Sequence, residues 1–347
     1  MGAIYIKTEK DVKARDVEVD IAKCICIICM VLVHATYGNH PIINTYTGVF
    51  FLVFFFFSAG FYLKKTNDPT SFIARRLERL EVPYVLVCLI IFGNMFIKGY
   101  RNATVLINSL FYALPSGFAS PYMIAGTSTI GIGPIWFLNC LFFASLLHLP
   151  LLQLEKKRRT IIVLILALAG KVSQKYFLFP FAIQDALIGM LFLHMGKVLY
   201  PYIQKGMKWL RVHLHIDIAI VLSVLFLYVW EIRNLPYQWF NLGGNLYHFH
   251  SLPGTFTGFA LVLLAAVLIA KIPVVGNIMA YFGANSMVLL VIHSLDITTL
   301  RNWAGWGSMS WAGIILTIVL YAASTVVYVE GKKRLQSIRS LHQKECE

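Results

Sequence analysis

The first long apolar segment of the chain, Val19 to Ala35, carries three ionisable side chains. Asp20 and Lys23 lie near its start, and His34 lies near its end. In an α-helix, which advances about 100° and 1.5 Å per residue, Lys23 and His34 share one face at about 16 Å separation along the axis. Charged groups at membrane depth are costly, so they usually serve a function. The spacing therefore predicts an acid, a cation and an imidazole at different depths of one helix face.

His34 has two interpretations. An imidazole has an ordinary pKa of about 6.5, so at neutral pH it can act as a general base. Alternatively, the ring forms a hydrogen bond to a neighbouring helix. A second imidazole, His293, lies in another apolar segment, and Asp296 follows it by three residues. The sequence leaves open whether His293 has a catalytic or a structural role.

Two further segments combine unusual residues. Residues 50–63 are aromatic and end in the small residues Ser58, Ala59 and Gly60. Small residues let a second helix backbone, or a ligand, approach closely. Trp136 and Asp185 begin two later apolar segments. For Trp136 the membrane interface is the usual location, and Asp185 could face an outer vestibule.

Residues 71–84 form a basic segment of a different kind. Arg75, Arg76 and Arg79 have helical spacing, and Tyr84 follows them at the start of an apolar segment. A basic amphipathic helix is usually a lipid-headgroup anchor. Arginine side chains also match phosphate oxygens, so the same patch could hold the phosphates of a cytoplasmic cofactor.

Several common catalytic and binding motifs are missing from the sequence. The chain has no glycine-rich phosphate loop with a lysine, no HExxH motif and no pair of CxxC motifs. Two membrane-depth histidines with scattered acids do not make a metal site, so we predict no metal. The cysteines lie mostly in apolar segments and are expected to be free thiols.

Composition indicates an all-α, polytopic membrane protein. Hydrophobic residues make up 58% of 347 residues and charged residues 13%, with a mean hydropathy of +0.71. A membrane span needs about 20 apolar residues. On that basis we predict ten spans, at residues 20–38, 47–64, 83–99, 134–153, 159–174, 182–200, 214–232, 254–271, 284–300 and 311–330. Residues 102–114 are apolar but short, so we expect a re-entrant or interfacial segment.

The net charge of +14 does not indicate a nucleic-acid partner, because the basic residues cluster between apolar segments. If the N-terminus is cytoplasmic, 23 of the 30 Lys and Arg residues lie on the cytoplasmic side. This asymmetry predicts that both termini are cytoplasmic. We expect one transmembrane domain over residues 1–347, with tails at about 1–18 and 331–347. No cleavable signal peptide is apparent.

Taken together, the motifs resemble the membrane-bound acyltransferase 3 family over roughly residues 15 to 330. Asp20, Lys23 and His34 match a first motif of a basic residue, ten residues and a histidine, although many members have Arg at the position of Lys23. The aromatic run through Ser58 to Gly60 matches a second motif. The remaining matches are Arg75, Arg76, Arg79, Pro83 and Tyr84, then Trp136, Phe137 and Leu138, and finally Ile292 and His293.

The resemblance implies a membrane-embedded O-acyltransferase of the bacterial cytoplasmic membrane. Acyl-CoA, expected to be acetyl-CoA, would enter from the cytoplasm, and a hydroxyl of an extracytoplasmic or lipid-linked glycan would accept the acyl group. His34, Asp20 and Lys23 would then be catalytic. The acyl-CoA would contact Arg75, Arg76, Arg79 and Tyr84, and the acceptor would contact Ser58, Trp136, Asp185 and His293.

Two other classes of protein remain as alternatives. Membrane-depth Asp, His and Lys residues also suit a proton-coupled transporter or an exporter of a polysaccharide precursor. However, transporters often contain internal repeats, and the two halves of this chain show no similarity to each other. A sensor or scaffold is the non-catalytic alternative. The aromatic loop 234–254 would suit stacking against a sugar acceptor.

Overall fold

The computed structural model describes residues 16–36, 41–48, 50–114, 128–173, 176–234, 251–300 and 310–345. These residues are almost entirely helical, and among them no β-strand is present. The α-helices are α1 Val17–Ala35, α2 Pro41–Thr47, α3 Phe51–Phe61, α4 Pro69–Arg76, α5 Val82–Ile97, α6 Ala103–Tyr112, α7 Trp136–Leu151, α8 Lys156–Ser173, α9 Ile183–Leu210, α10 Leu214–Asn234, α11 Leu252–Ala270, α12 Pro273–Ala284, α13 Ser286–Leu295 and α14 Trp311–Glu345.

Each of the ten predicted spans overlaps one of these helices, which supports an all-α, multi-pass membrane protein. Within the described part of the chain, five helical stretches are long and apolar enough to cross a membrane. A sixth results if α12 and α13, bent by 66° at Asn285, form one broken span. The count of ten spans and the orientation of the termini stay predictions. We did not predict α12 as a separate helix.

The basic segment is helical, as its spacing predicts. Helix α4 leads through a π-helical turn, Leu77–Glu81, directly into α5. The Asp68 carboxylate caps α4, accepting hydrogen bonds from the Ser71 backbone N–H at 3.0 Å and the Thr70 hydroxyl at 2.6 Å. These bonds, from Ser71 and then Thr70, lower the pKa of Asp68 to about 2. The basic segment therefore begins at a well-defined cap.

Helix α1 lies at the centre of the packing. It contacts α3, α11, α12, α13 and α14, and most of its side chains are buried. Its first turn is tied to the end of α9, because the Arg211 guanidinium donates to both carboxylate oxygens of Glu18 at 2.5 and 2.6 Å. This bond to Glu18 also raises the pKa of Arg211. Because α1 packs against several helices, those contacts also determine the position of His34 at its other end.

Helices α3 and α9 approach closely through two glycines. A Cβ atom added to Gly60 would lie 1.9 Å from the Leu193 carbonyl oxygen, and one added to Gly196 would lie 1.9 Å from the Phe57 carbonyl oxygen. The small residues at the end of α3 thus serve a tight helix crossing, the first of the two roles that the sequence allows.

Candidate active site

A cavity of about 260 Å³ lies where α1, α3, α7 and α13 converge. Its wall is mainly apolar and aromatic. The lining residues are Ile27, Met30, His34, Phe51, Leu52, Phe55, Gly133, Pro134, Trp136, Phe137, Ser286, Met287, Leu290 and Ile297. His34 and Trp136 are the two predicted site residues on this wall. An imidazole in a small, largely apolar chamber is the main chemical feature of the site.

The beginning of α7 borders the same cavity. Gly133, Pro134 and Ile135 form a 3₁₀ turn before Trp136, the first residue of α7. Gly133 has a positive φ of 66°, and a Cβ there would lie 2.6 Å from the Thr298 side chain, so only glycine fits. The positive end of the α7 dipole is therefore close to the cavity and favours negative charge there.

His293 lies directly behind His34. The two imidazole centroids are 5.2 Å apart and the rings are tilted by 52°. His293 is fully buried and does not line the cavity. Its Nδ1 atom lies 3.3 Å from the Tyr321 hydroxyl, and that hydroxyl donates to a carboxylate oxygen of Asp296. The structure thus brings together two histidines, a tyrosine and an acid from α1, α13, the π-helical turn Asp296–Leu300 and α14.

Lys23 and Asp20 lie about one and two helical turns before Ile27, the first residue of α1 on the cavity wall. Their side chains form an ion pair at 3.4 Å, and the Lys23 ammonium lies 5.8 Å from the Tyr62 ring centroid. Both side chains are largely buried. Neither residue lines the cavity. The three residues share one face of α1, as predicted, but they do not form one site. His34 lies on the cavity wall, whereas Asp20 and Lys23 form an ion pair nearer the start of the helix.

The three arginines lie outside the cavity. Arg75 and Arg79 are exposed, while the half-buried Arg76 guanidinium stacks over the Phe72 ring at 5.3 Å. Tyr84 is buried, and its hydroxyl donates to the Leu110 carbonyl oxygen at 2.6 Å. Arg75 and Arg79 are thus available to an anionic ligand or to lipid headgroups, whereas Tyr84 joins α5 to α6.

The remaining predicted site residues are buried away from the cavity. The Ser58 hydroxyl donates to the Phe55 carbonyl oxygen at 3.3 Å. Asp185 is 4% exposed in the first turn of α9. Most of the aromatic loop 234–254, at residues 235–250, lies outside the described part of the chain. Its proposed contact with a sugar stays a prediction.

Comparison with known proteins decides the family. A family model described as an acyltransferase domain matches residues 16–329, nearly the whole chain. The chain belongs to the acyltransferase 3 family. No curated protein and no solved structure matches the chain. Family membership makes this chain a membrane acyltransferase, and the cavity beside His34 is the candidate site for its reaction.

Two residues of this acyltransferase site were missed in the sequence. Ser286 begins α13 and contributes the one hydroxyl among the described residues of the cavity wall. Tyr321 is 6% exposed and lies in the first third of α14, halfway along the predicted span 311–330. Tyrosines in membrane helices are usually found at the interface. Because a tyrosine in the middle of an apolar segment is unusual, the sequence could have drawn attention to Tyr321. No feature of the sequence distinguished Ser286.

A second histidine pair lies away from the cavity. His148 Nε2 lies 3.1 Å from His194 Nδ1, and His194 Nε2 lies 2.9 Å from the Thr160 hydroxyl. Since Thr160 donates to the Lys156 carbonyl oxygen, His194 donates to Thr160 and accepts from His148. This network joins α7, α8 and α9. Within the described ranges, no group of three or more His, Cys, Asp or Glu residues could hold a metal ion.

Proposed function

We propose that this acyltransferase moves an acyl group, most simply acetyl, from cytoplasmic acyl-CoA to a hydroxyl of an extracytoplasmic or lipid-linked glycan. His34 is the general base. The observation that carries the proposal is the His34 imidazole on the wall of a largely apolar cavity. The same wall contains the Ser286 hydroxyl and the beginning of α7.

The size of the cavity favours a short acyl group. A volume of about 260 Å³ is below the range of about 300–1,000 Å³ that is typical for sites of drug-sized ligands. It suits the reacting ends of the two substrates, the thioester and the hydroxyl, rather than a whole coenzyme. An apolar wall also limits access of water, which would otherwise hydrolyse the thioester.

The reaction needs one proton to be moved twice. His34 accepts the proton of the acceptor hydroxyl as the hydroxyl oxygen attacks the thioester carbonyl carbon. The resulting oxyanion is stabilised by the Ser286 hydroxyl and by the positive end of α7. When the carbon–sulfur bond breaks, the departing thiolate takes the proton from the His34 imidazolium. The products are free CoA and the acyl ester, and His34 returns to its neutral form.

The polar groups outside the cavity fit the entry of the donor. The Asp20–Lys23 pair lies on α1 between the helix start and the cavity. Arg75 and Arg79 are exposed on the basic segment that precedes α5. In the predicted orientation both groups lie on the cytoplasmic side, where the phosphates of CoA would bind. The acceptor would then enter from the opposite side.

Inside-out membrane vesicles that contain the protein provide the test. They are supplied with acetyl-CoA labelled in the acetyl group, and we measure label on membrane glycans together with release of free CoA. We expect His34→Ala to lower the rate by about 100-fold or more, while His213→Ala, which changes an exposed histidine, leaves it unchanged. A wild-type rate in folded His34→Ala protein would contradict the base assignment, and transport of a solute without acyl transfer would contradict the reaction.

A further inference from the structure

Three polar side chains form a connected series that starts beside His34, and none of the three lines the cavity. His293 and Asp296 come from α13 and the π-helical turn Asp296–Leu300 that follows it, and Tyr321 comes from α14. A π-helical turn is rare, and such turns are frequent at functional sites. Here the turn starts at the residue whose carboxylate accepts the Tyr321 hydroxyl hydrogen bond.

The hydrogen bonds determine which nitrogen of His293 carries the proton. A phenol has one proton, and Tyr321 donates it to the Asp296 carboxylate, a charge-assisted bond. Towards His293, the Tyr321 oxygen can therefore only accept. The Nδ1 atom of His293, at 3.3 Å, must be the donor. In a neutral imidazole this leaves the lone pair on Nε2.

We propose that His293, held in this tautomer by Tyr321 and Asp296, is a positioning residue for His34. The inference rests on the proposed function of His34. With ring centroids 5.2 Å apart, His293 restricts the orientation of the His34 ring behind the cavity. When His34 takes up a proton, it lies beside a neutral imidazole whose hydrogen bonds lead to a carboxylate. In a low-dielectric interior, such an arrangement stabilises the transient imidazolium.

Removing the Tyr321 hydroxyl tests the proposal. Tyr321→Phe keeps the ring and deletes the bonds to His293 and Asp296. The matched control is Tyr328→Phe, the same change on an exposed part of α14. Using CoA release in vesicles, we expect kcat of Tyr321→Phe to fall about 10- to 100-fold. KM for acetyl-CoA should stay close to the wild-type value and the variant should still fold, although the lost hydrogen bonds lower its melting temperature. Tyr328→Phe should have no effect.

Measuring the tautomer of His293 directly distinguishes a positioning role from a role in packing alone. In detergent-solubilised protein labelled with ¹⁵N-histidine, the His293 resonances should show a protonated Nδ1 and an unprotonated Nε2. In Tyr321→Phe that pattern should be lost. His293→Gln retains a polar group near the Nε2 position, so it should keep more activity than His293→Leu.

The possible failures are distinguishable. If His34→Ala abolishes transfer while Tyr321→Phe retains wild-type kcat, the positioning role is overturned and the base assignment remains. The same conclusion follows if His293 proves to be protonated at Nε2 alone in the wild-type protein. If His34→Ala keeps the wild-type rate, the proposed function of His34 fails, and the positioning role fails with it.

Discussion

Gly283 of α12 lies directly against the backbone of Asp20 in α1. A Cβ atom at position 283 would be 1.6 Å from the Asp20 carbonyl oxygen and 3.1 Å from the Cys24 backbone nitrogen. Two helix backbones are therefore in contact at the point where the Asp20–Lys23 ion pair is placed. Only a residue without a side chain permits this approach.

We expect Gly283→Ala to separate α1 from α12 and to destabilise the protein by about 1–3 kcal/mol, the usual cost of overpacking. Thermal unfolding of the detergent-solubilised protein measures the effect. Gly331→Ala on α14 is the matched control, because a Cβ there meets no atom within 4 Å. Equal melting temperatures for the two variants would argue against the close contact.

The Glu18–Arg211 pair should couple the start of α1 to the end of α9. Glu18 is buried, whereas the Arg211 side chain is 47% exposed, so we expect a moderate coupling of about 1–2 kcal/mol. A double-mutant cycle with Glu18→Gln, Arg211→Met and both changes together measures it. The double variant should be more stable than the sum of the two single losses predicts. Strict additivity would show that the pair contributes no coupling.

Neutralising Arg75 and Arg79 distinguishes a coenzyme site from a lipid anchor. If these arginines contact CoA phosphates, Arg75→Gln with Arg79→Gln should raise KM for acetyl-CoA about 3- to 10-fold, with little change in kcat, because exposed charge contacts are individually weak. Arg158→Gln, another exposed arginine, is the control. For a lipid anchor, KM would stay constant and activity would depend instead on anionic lipid.

The coenzyme itself can be varied in the same experiment. Acetyl-dephospho-CoA lacks the 3′-phosphate, so the wild-type protein should show a higher KM for it than for acetyl-CoA. In the double arginine variant this difference should become smaller. A difference of unchanged size would place the 3′-phosphate away from Arg75 and Arg79.

Ser286→Ala should lower kcat by about 100-fold, because the hydroxyl on the cavity wall is proposed to stabilise the oxyanion. KM for acetyl-CoA should change little, since the contact strengthens only in the transition state. Ser223→Ala on α10 changes an exposed serine and should have no effect. If the activity of Ser286→Ala fell only in proportion to the amount of folded protein, Ser286 would instead have a packing role.

The helical segments and the shared face of α1 were predictable, because both depend on local geometry. Apolar length and the 3.6-residue repeat act over neighbouring residues, so Lys23 and His34 could be related without knowing any other helix. The basic helix before α5 could be predicted for the same reason. Helix α12 was missed because nearly all of its residues lie between the predicted spans 254–271 and 284–300, and a bend of 66° separates it from α13.

By itself, the sequence determined an all-α membrane protein whose first helix carries an acid, a cation and a histidine, and its motifs pointed to the acyltransferase family. Only the tertiary structure decided which of those residues meet. It placed His34 on a cavity wall with Trp136 and Ser286, left Lys23 and the arginines outside that wall, and set His293 beside Tyr321. The reason is physical: contacts between residues far apart in the chain depend on how helices pack, and a local pattern contains no information about the partner.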